Sequence, residues 1–102
     1  MMLSEMDAAA EKVSDLMKVL SNKNRLMILC QLVEAEQSVG ALAACIGARE
    51  QAVSQQLALL RKDGLVTPRR DGQTIYYSLA RPDIRALMEF LHATYCGADA
   101  DF

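Results

Sequence analysis

The chain has 102 residues, 52% of them apolar, with a formal net charge of −2 and three cysteines. This length suits one domain with a modest core, and no apolar run approaches the roughly 20 residues that a membrane span requires. The odd cysteine count lacks zinc-finger spacing, and the acidic start "MMLSEMDAAAEK" lacks a basic flank and an apolar stretch. Together they argue against a secreted disulfide scaffold and predict a cytoplasmic protein with free thiols.

The first segment places Met6, Ala9, Ala10, Val13, Leu16, Met17 and Leu20 at three- and four-residue steps, which predicts an amphipathic helix. "SNK" interrupts it, and Ser21 or Asn22 is suited to cap the next helix. In "RLMILCQLVEAE", Leu26, Leu29, Cys30 and Val33 share one face while Ile28 and Leu32 cover another. A short helix apolar on two faces belongs at the centre of a fold. "SVGALAACIG" reads as a short helix capped by Ser38 and stopped by Gly47. A longer helix follows through "QAVSQQLALLRKDG", with Val53, Leu57 and Leu60 as its buried stripe and Gly64 at its end.

The period then changes. "LVTPRR" and "TIYYSLA" read as strands joined by the turn signal "DGQ", and Pro68 suits an edge position. "RPDIRALMEFLHATYC" returns to helical spacing through Ile84, Leu87, Met88, Leu91 and Tyr95. The predicted fold is one domain over residues 1–102, mainly α with a β-hairpin. Its order is four helices, hairpin, helix, which is that of a winged helix-turn-helix: the helix-turn-helix over 38–63, the wing over 65–80.

Charge distribution supports a nucleic-acid partner better than the sum does. Residues 49–73 carry five bases against three acids, whereas residues 1–20 and 74–102 each carry four acids against two bases. Exposed charges beyond about 8–10 Å are largely screened, so acidic ends do not prevent a basic middle from meeting phosphate. The polar face of the second helix of the motif offers Gln51, Ser54, Gln55 and Gln56 for base edges. Arg61, Lys62, Arg69, Arg70 and Gln73 suit phosphate or minor-groove contact. The same residues also suit a solvated helix face and an ordinary charged hairpin.

"NRLMILCQLVEAEQSVGALAACIG" followed by "VSQQLALLRKDGLVTPRRDGQTIYYSL" resembles the ArsR family of bacterial dimeric repressors, over roughly residues 15–96. The resemblance implies a homodimer that binds double-stranded operator DNA and leaves it when an inducer alters the protein. The first and last helices would supply the dimer interface. One departure stands at Arg49, where the family commonly places Ser or Thr as the recognition-helix cap. Either the cap shifts, or Arg49 meets phosphate directly.

Family inducers are often metals, but the family's two familiar metal sites, paired cysteines near residues 41–46 or Asp/His pairs on the last helix, are absent. His92 is the only histidine, and no metal or other cofactor is implied. Cys30 suits a small core hydrophobe, Cys45 lies off its helix's apolar stripe, and Cys96 follows the last helix without a packing reason. "RLMILC" and "TYC" resemble the settings of two cysteines in that family's dithiol sensors of reactive sulfur. That likeness implies redox sensing by Cys30 and Cys96, with low-molecular-weight persulfides as inducers and a di- or polysulfide bridge that releases DNA. Arsenite, general oxidants acting on the same thiols, and a module that binds no DNA remain alternatives. With one histidine, no nucleophile–base pair and no phosphate-binding glycine loop, the sequence gives no basis for an enzyme.

Overall fold

Helix α1 spans Leu3–Leu20, α2 Lys23–Glu34, α3 Val39–Ile46, α4 Glu50–Lys62 and α5 Pro82–Tyr95 in the computed structural model, which describes residues 2–96. Strand β1 covers Gln37–Ser38, β2 Val66–Asp71 and β3 Thr74–Leu79. The three strands form one antiparallel sheet in the order β1-β3-β2. The predicted helices and hairpin are all present. Strand β1 is an addition, because two residues are too few to show a period of two.

Helix α2 is the centre of the packing and touches α1, α3, α4, α5 and β3. Ile28, Leu29 and Leu32 are fully buried, while Leu26, Cys30 and Val33 pack at the edge of the core. At its start Asn22, rather than Ser21, supplies the cap: Oδ1 accepts from the Arg25 backbone N–H at 3.1 Å. Its last carbonyls, which have no partner within the helix, are served by side chains from other elements. Gln37 Nε2 donates to the Gln31 carbonyl at 2.9 Å, and the Arg85 guanidinium of α5 donates to the Val33 carbonyl.

Ser38 ends β1 and also caps α3, its hydroxyl accepting from the Ala41 N–H at 3.1 Å. Gly47 closes α3 with φ 68°, the left-handed conformation that favours glycine. Helix α4 buries the expected stripe of Val53, Leu57 and Leu60. In the wing, Asp71 pairs with Thr74 across the two-residue turn Gly72-Gln73, and Gly72 has φ 64° as such a turn requires. The edge position of β2 accommodates Pro68, which has no N–H to give a second neighbour.

The amphipathic stripe of α1 is only partly used within one chain. Leu20 is buried and Leu16 and Val19 pack against the core, but Leu3, Met6, Val13 and Met17 are exposed, Leu3 at 86%. On α5, Ile84 and Met88 are buried, whereas Phe90 is 60% exposed. No helix among the described residues is long and apolar enough to cross a membrane.

Candidate DNA-reading face and thiol groove

The two halves of the candidate site share α2 as scaffold. On one side, α3 and α4 pack on it to form the helix-turn-helix; on the other, α5 crosses it. Buried Val53, Leu57 and Leu60 turn the opposite face of α4 outward, so Gln51, Ser54 and Gln55 are exposed. Gln56 is different: it is half-buried, and its Oε1 is shielded from solvent without a hydrogen-bond partner. Arg61 and Lys62 are exposed in the last turn of α4, where their charge also suits the helix dipole.

Arg49 occupies the N-cap position of α4, and its side chain makes no capping hydrogen bond. Arg49 is exposed, with Glu50 in the first turn beside it. Arg70 and Gln73 lie exposed at the wing tip, the Arg70 Nε donating only to the Gly72 carbonyl at 3.2 Å. Arg69 is engaged within the molecule. Its Nε donates to both carboxylate oxygens of Glu36 at 3.0 and 3.1 Å, its Nη2 donates to the same group, and its guanidinium lies 5.0 Å from the centroid of the Tyr76 ring. Sequence reasoning missed Glu36, since nothing local marks a residue whose partner is 33 positions away.

The three cysteines are unbonded, with Cys45 and Cys96 exposed and Cys30 half-buried. The Cys30 Sγ faces α5 and lies 3.7 Å from Met88 Sδ. Cys96 is the C-cap of α5, its N–H donating to the His92 carbonyl at 2.9 Å. Burial, and after it the like charge of Cys96, push the Cys30 thiol above the ordinary range. Cys30 on α2 and Cys96 at the end of α5 thus belong to two helices packed on each other, whereas Cys45 lies on α3. Beside Cys30 opens a cavity of about 250 Å³ lined by Cys30, Val33, Glu34, Met88, Glu89 and His92. A larger cavity, about 390 Å³ beneath α1, contains neither cysteine nor histidine. His92, the one histidine of the chain, thus borders the thiol groove. Among the described residues no cluster of three or more His, Cys, Asp or Glu side chains could hold a metal ion.

Comparison with known proteins agrees with this architecture. Residues 22–67 match the family described as "Bacterial regulatory protein, arsR family". The transcriptional activator HlyU of Vibrio cholerae serotype O1 is 42% identical over 99 residues, covering 97% of this chain and 92% of the relative. Reduced HlyU from Vibrio cholerae N16961 superposes with a TM-score of 0.88 at 42% identity, over 93% of this chain and 100% of that one. The transcriptional repressor BigR from Xylella fastidiosa gives 0.85 at 37% identity, over 99% and 100%. A homodimeric winged helix-turn-helix DNA-binding domain from Mycobacterium bovis gives 0.74 at 32% identity, over 90% and 85%. With relatives this similar over nearly their whole length, and with a three-stranded wing beside the helix-turn-helix, the chain belongs to the ArsR family of bacterial regulatory proteins.

Proposed function

We propose that this regulator is a homodimeric repressor that senses reactive sulfur through Cys30 and Cys96 and leaves operator DNA when the two become bridged. The observation that supports the reading is that Cys30 turns its sulfur toward α5, against Met88, while Cys96 ends that same helix, one thiol half-buried and one exposed. Gln51, Ser54 and Gln55 read base edges, and Arg49, Arg61, Lys62, Arg70 and Gln73 supply phosphate or minor-groove contacts. The uncovered apolar faces of α1 and α5 pair with a second copy. The homodimeric Mycobacterium bovis domain supports that assembly by likeness.

The exposed Cys96 is the nucleophile that meets a persulfide first. Its thiolate attacks the outer sulfur of RS–SH; a Cys96–sulfur bond forms, the old sulfur–sulfur bond breaks, and RS⁻ leaves. The product is Cys96–S–SH. Cys30 then attacks the Cys96 Sγ and expels hydrosulfide, so the two electrons lost by the thiols reduce the transferred sulfur to sulfide. If a second sulfur is added before closure, attack on the middle sulfur of Cys96–S–S–SH gives a trisulfide and again expels hydrosulfide. The longer bridge spans a gap wider than the roughly 7 Å between Cα atoms that a disulfide tolerates.

A bridge ties α2 to the end of α5. Since α2 also carries α3 and α4, the tie shifts the two recognition helices of a dimer away from the roughly 34 Å spacing of successive major grooves. Peptide mass spectrometry after treatment with glutathione persulfide, beside a DNA-shift assay, tests the reading. A Cys30–Cys96 crosslink with added sulfur and parallel loss of DNA binding is expected. Retention of persulfide-induced release by Cys30→Ser would refute it.

A further inference from the structure

The observation is a clamp across the outer face of the wing. Arg69 on β2 pairs in register with Tyr76 on β3, which pairs in turn with Ser38 on β1. Glu36 lies two residues before Ser38, and from there its carboxylate reaches over the sheet to the Arg69 guanidinium. One cation is thus held by a carboxylate fork and by an aromatic face at once, with the Asp71 carboxylate 4.0 Å from its Nη1 as a second, longer ion pair. Mutual attraction lowers the Glu36 carboxyl pKa and raises that of Arg69. Arg70, the next residue, forms no ion pair among the described residues.

We propose that Glu36 is a positioning residue for DNA binding: it keeps Arg69 as a neutral strut of the wing and leaves phosphate attraction there to Arg70. The Glu36–Arg69 pair has no net charge. For DNA to use Arg69, a phosphate must displace a forked carboxylate and lift the guanidinium from Tyr76, leaving Glu36 unpaired near a polyanion. Binding that leaves the pair intact displaces no counterion on its account, so Arg69 adds nothing to the salt dependence of binding. A freed Arg69 would add attraction that ignores sequence, since phosphate contacts position without specifying. Glu36 therefore lowers non-specific affinity and protects discrimination, replacing the phosphate role that the sequence suggests for Arg69.

The inference rests on the DNA-binding half of the proposed function. The test uses the reduced full chain and a fluorescent mixed-sequence duplex of about three helical turns, roughly 30 base pairs, titrated between about 50 and 200 mM salt. Glu36→Gln is expected to tighten binding and to steepen the log–log salt slope by about 0.9, one added phosphate contact. Arg70→Gln should flatten it by about the same amount. Glu36→Asp, which keeps the charge, should match the parent chain. The decisive protein is the Glu36→Gln, Arg69→Gln double variant, which removes one anion and one cation, leaves the net charge of the wing unchanged and should retain the parent slope. If that double variant flattens the slope as Arg70→Gln does, Arg69 is a phosphate contact and the proposal is overturned. Absence of any salt-dependent binding by the parent chain would instead sink the DNA-binding reading, and the proposal with it.

Discussion

The Cys30 Sγ sits 3.7 Å from the Met88 Sδ, so the half-buried thiol of the central helix has a thioether packed against it. That contact has a chemical consequence. Burial first, and the neighbouring Cys96 second, raise the pKa of Cys30. At neutral pH Cys30 should therefore react with iodoacetamide more slowly than Cys96 or Cys45, because the thiolate is the nucleophile. Replacing Cys96 by Ser should lower the midpoint of the Cys30 pH–rate profile by removing the like charge. Equal alkylation of Cys30 and Cys45 at pH 7 would contradict the assignment of Cys30 as the slower, resolving thiol. The same shift has a stability counterpart. A thiol whose pKa is higher in the folded state favours that state below the unfolded value, about 8.5, and the benefit fades as pH rises through the folded value. Urea midpoints should fall more steeply for the parent chain than for Cys30→Ala as pH rises above about 8.5.

The exposed faces of α1 and α5 lead to a second expectation. Met17 and Phe90 are large apolar side chains that the single chain leaves in solvent. Replacing either by Glu costs a monomer little, but buries a charge if a second copy covers the face. Met17→Glu and Phe90→Glu should shift sedimentation from dimer to monomer while helical circular dichroism is kept. Dimers that persist in both variants would place the interface elsewhere.

Much of this architecture is readable from local pattern. Val53, Leu57 and Leu60 mark the buried side of α4 through spacing alone, and so indicate which side carries Gln51, Ser54 and Gln55. Ser38 and Gly47 bracket α3 because capping chemistry is confined to one or two residues. What escapes the sequence depends on distant partners. Strand β1 exists because Gln37 and Ser38 meet Tyr77 and Tyr76, not because "QS" favours a strand. The Arg85 bond to the Val33 carbonyl and the Glu36 hold on Arg69 join positions 52 and 33 residues apart. The apolar stripe of α1 was legible as a stripe, yet periodicity does not say whether the same chain or another covers it. Arg69 and Arg70 look equivalent as letters; strand alternation sends them to opposite faces, and among the described residues only Arg69 pairs with carboxylates, Glu36 and Asp71.

Gly40 inside α3 and Gly47 at its C-cap should respond differently to alanine. Gly47 has φ 68° and open space around its missing Cβ, so the cost of Gly47→Ala is a backbone cost alone. Left-handed geometry for an L-residue is worth about 1–2 kcal/mol, and the urea midpoint should fall accordingly. Gly40 lies inside the helix, where Ala is favoured by roughly 0.5–1 kcal/mol. Its new Cβ would meet the Glu50 carboxylate, with Oε1 at 3.0 Å, the end of a flexible side chain. Gly40→Ala should therefore leave stability unchanged or slightly raised. A loss as large as that of Gly47→Ala would mean that Glu50 is held in place at the start of α4.

The start of α4 separates stability from function. Arg49 stands at the N-cap without a side-chain cap bond, so the first N–H groups of the recognition helix lack the acceptor that Ser, Thr, Asp or Asn would supply. Arg49→Ser should provide one and raise stability by about 1 kcal/mol. The same change removes a cation from the end of the helix that approaches DNA, where the proposed function places a phosphate contact. The expected result is a higher urea midpoint together with weaker DNA binding and a salt slope flatter by about 0.9. Arg49→Lys separates the two effects, because it keeps the charge and supplies no cap: its midpoint should stay near the parent value, with the salt slope retained. If Arg49→Ser gains stability and its salt slope is unchanged, Arg49 does not touch phosphate, and the uncapped end of α4 has no explanation in DNA binding.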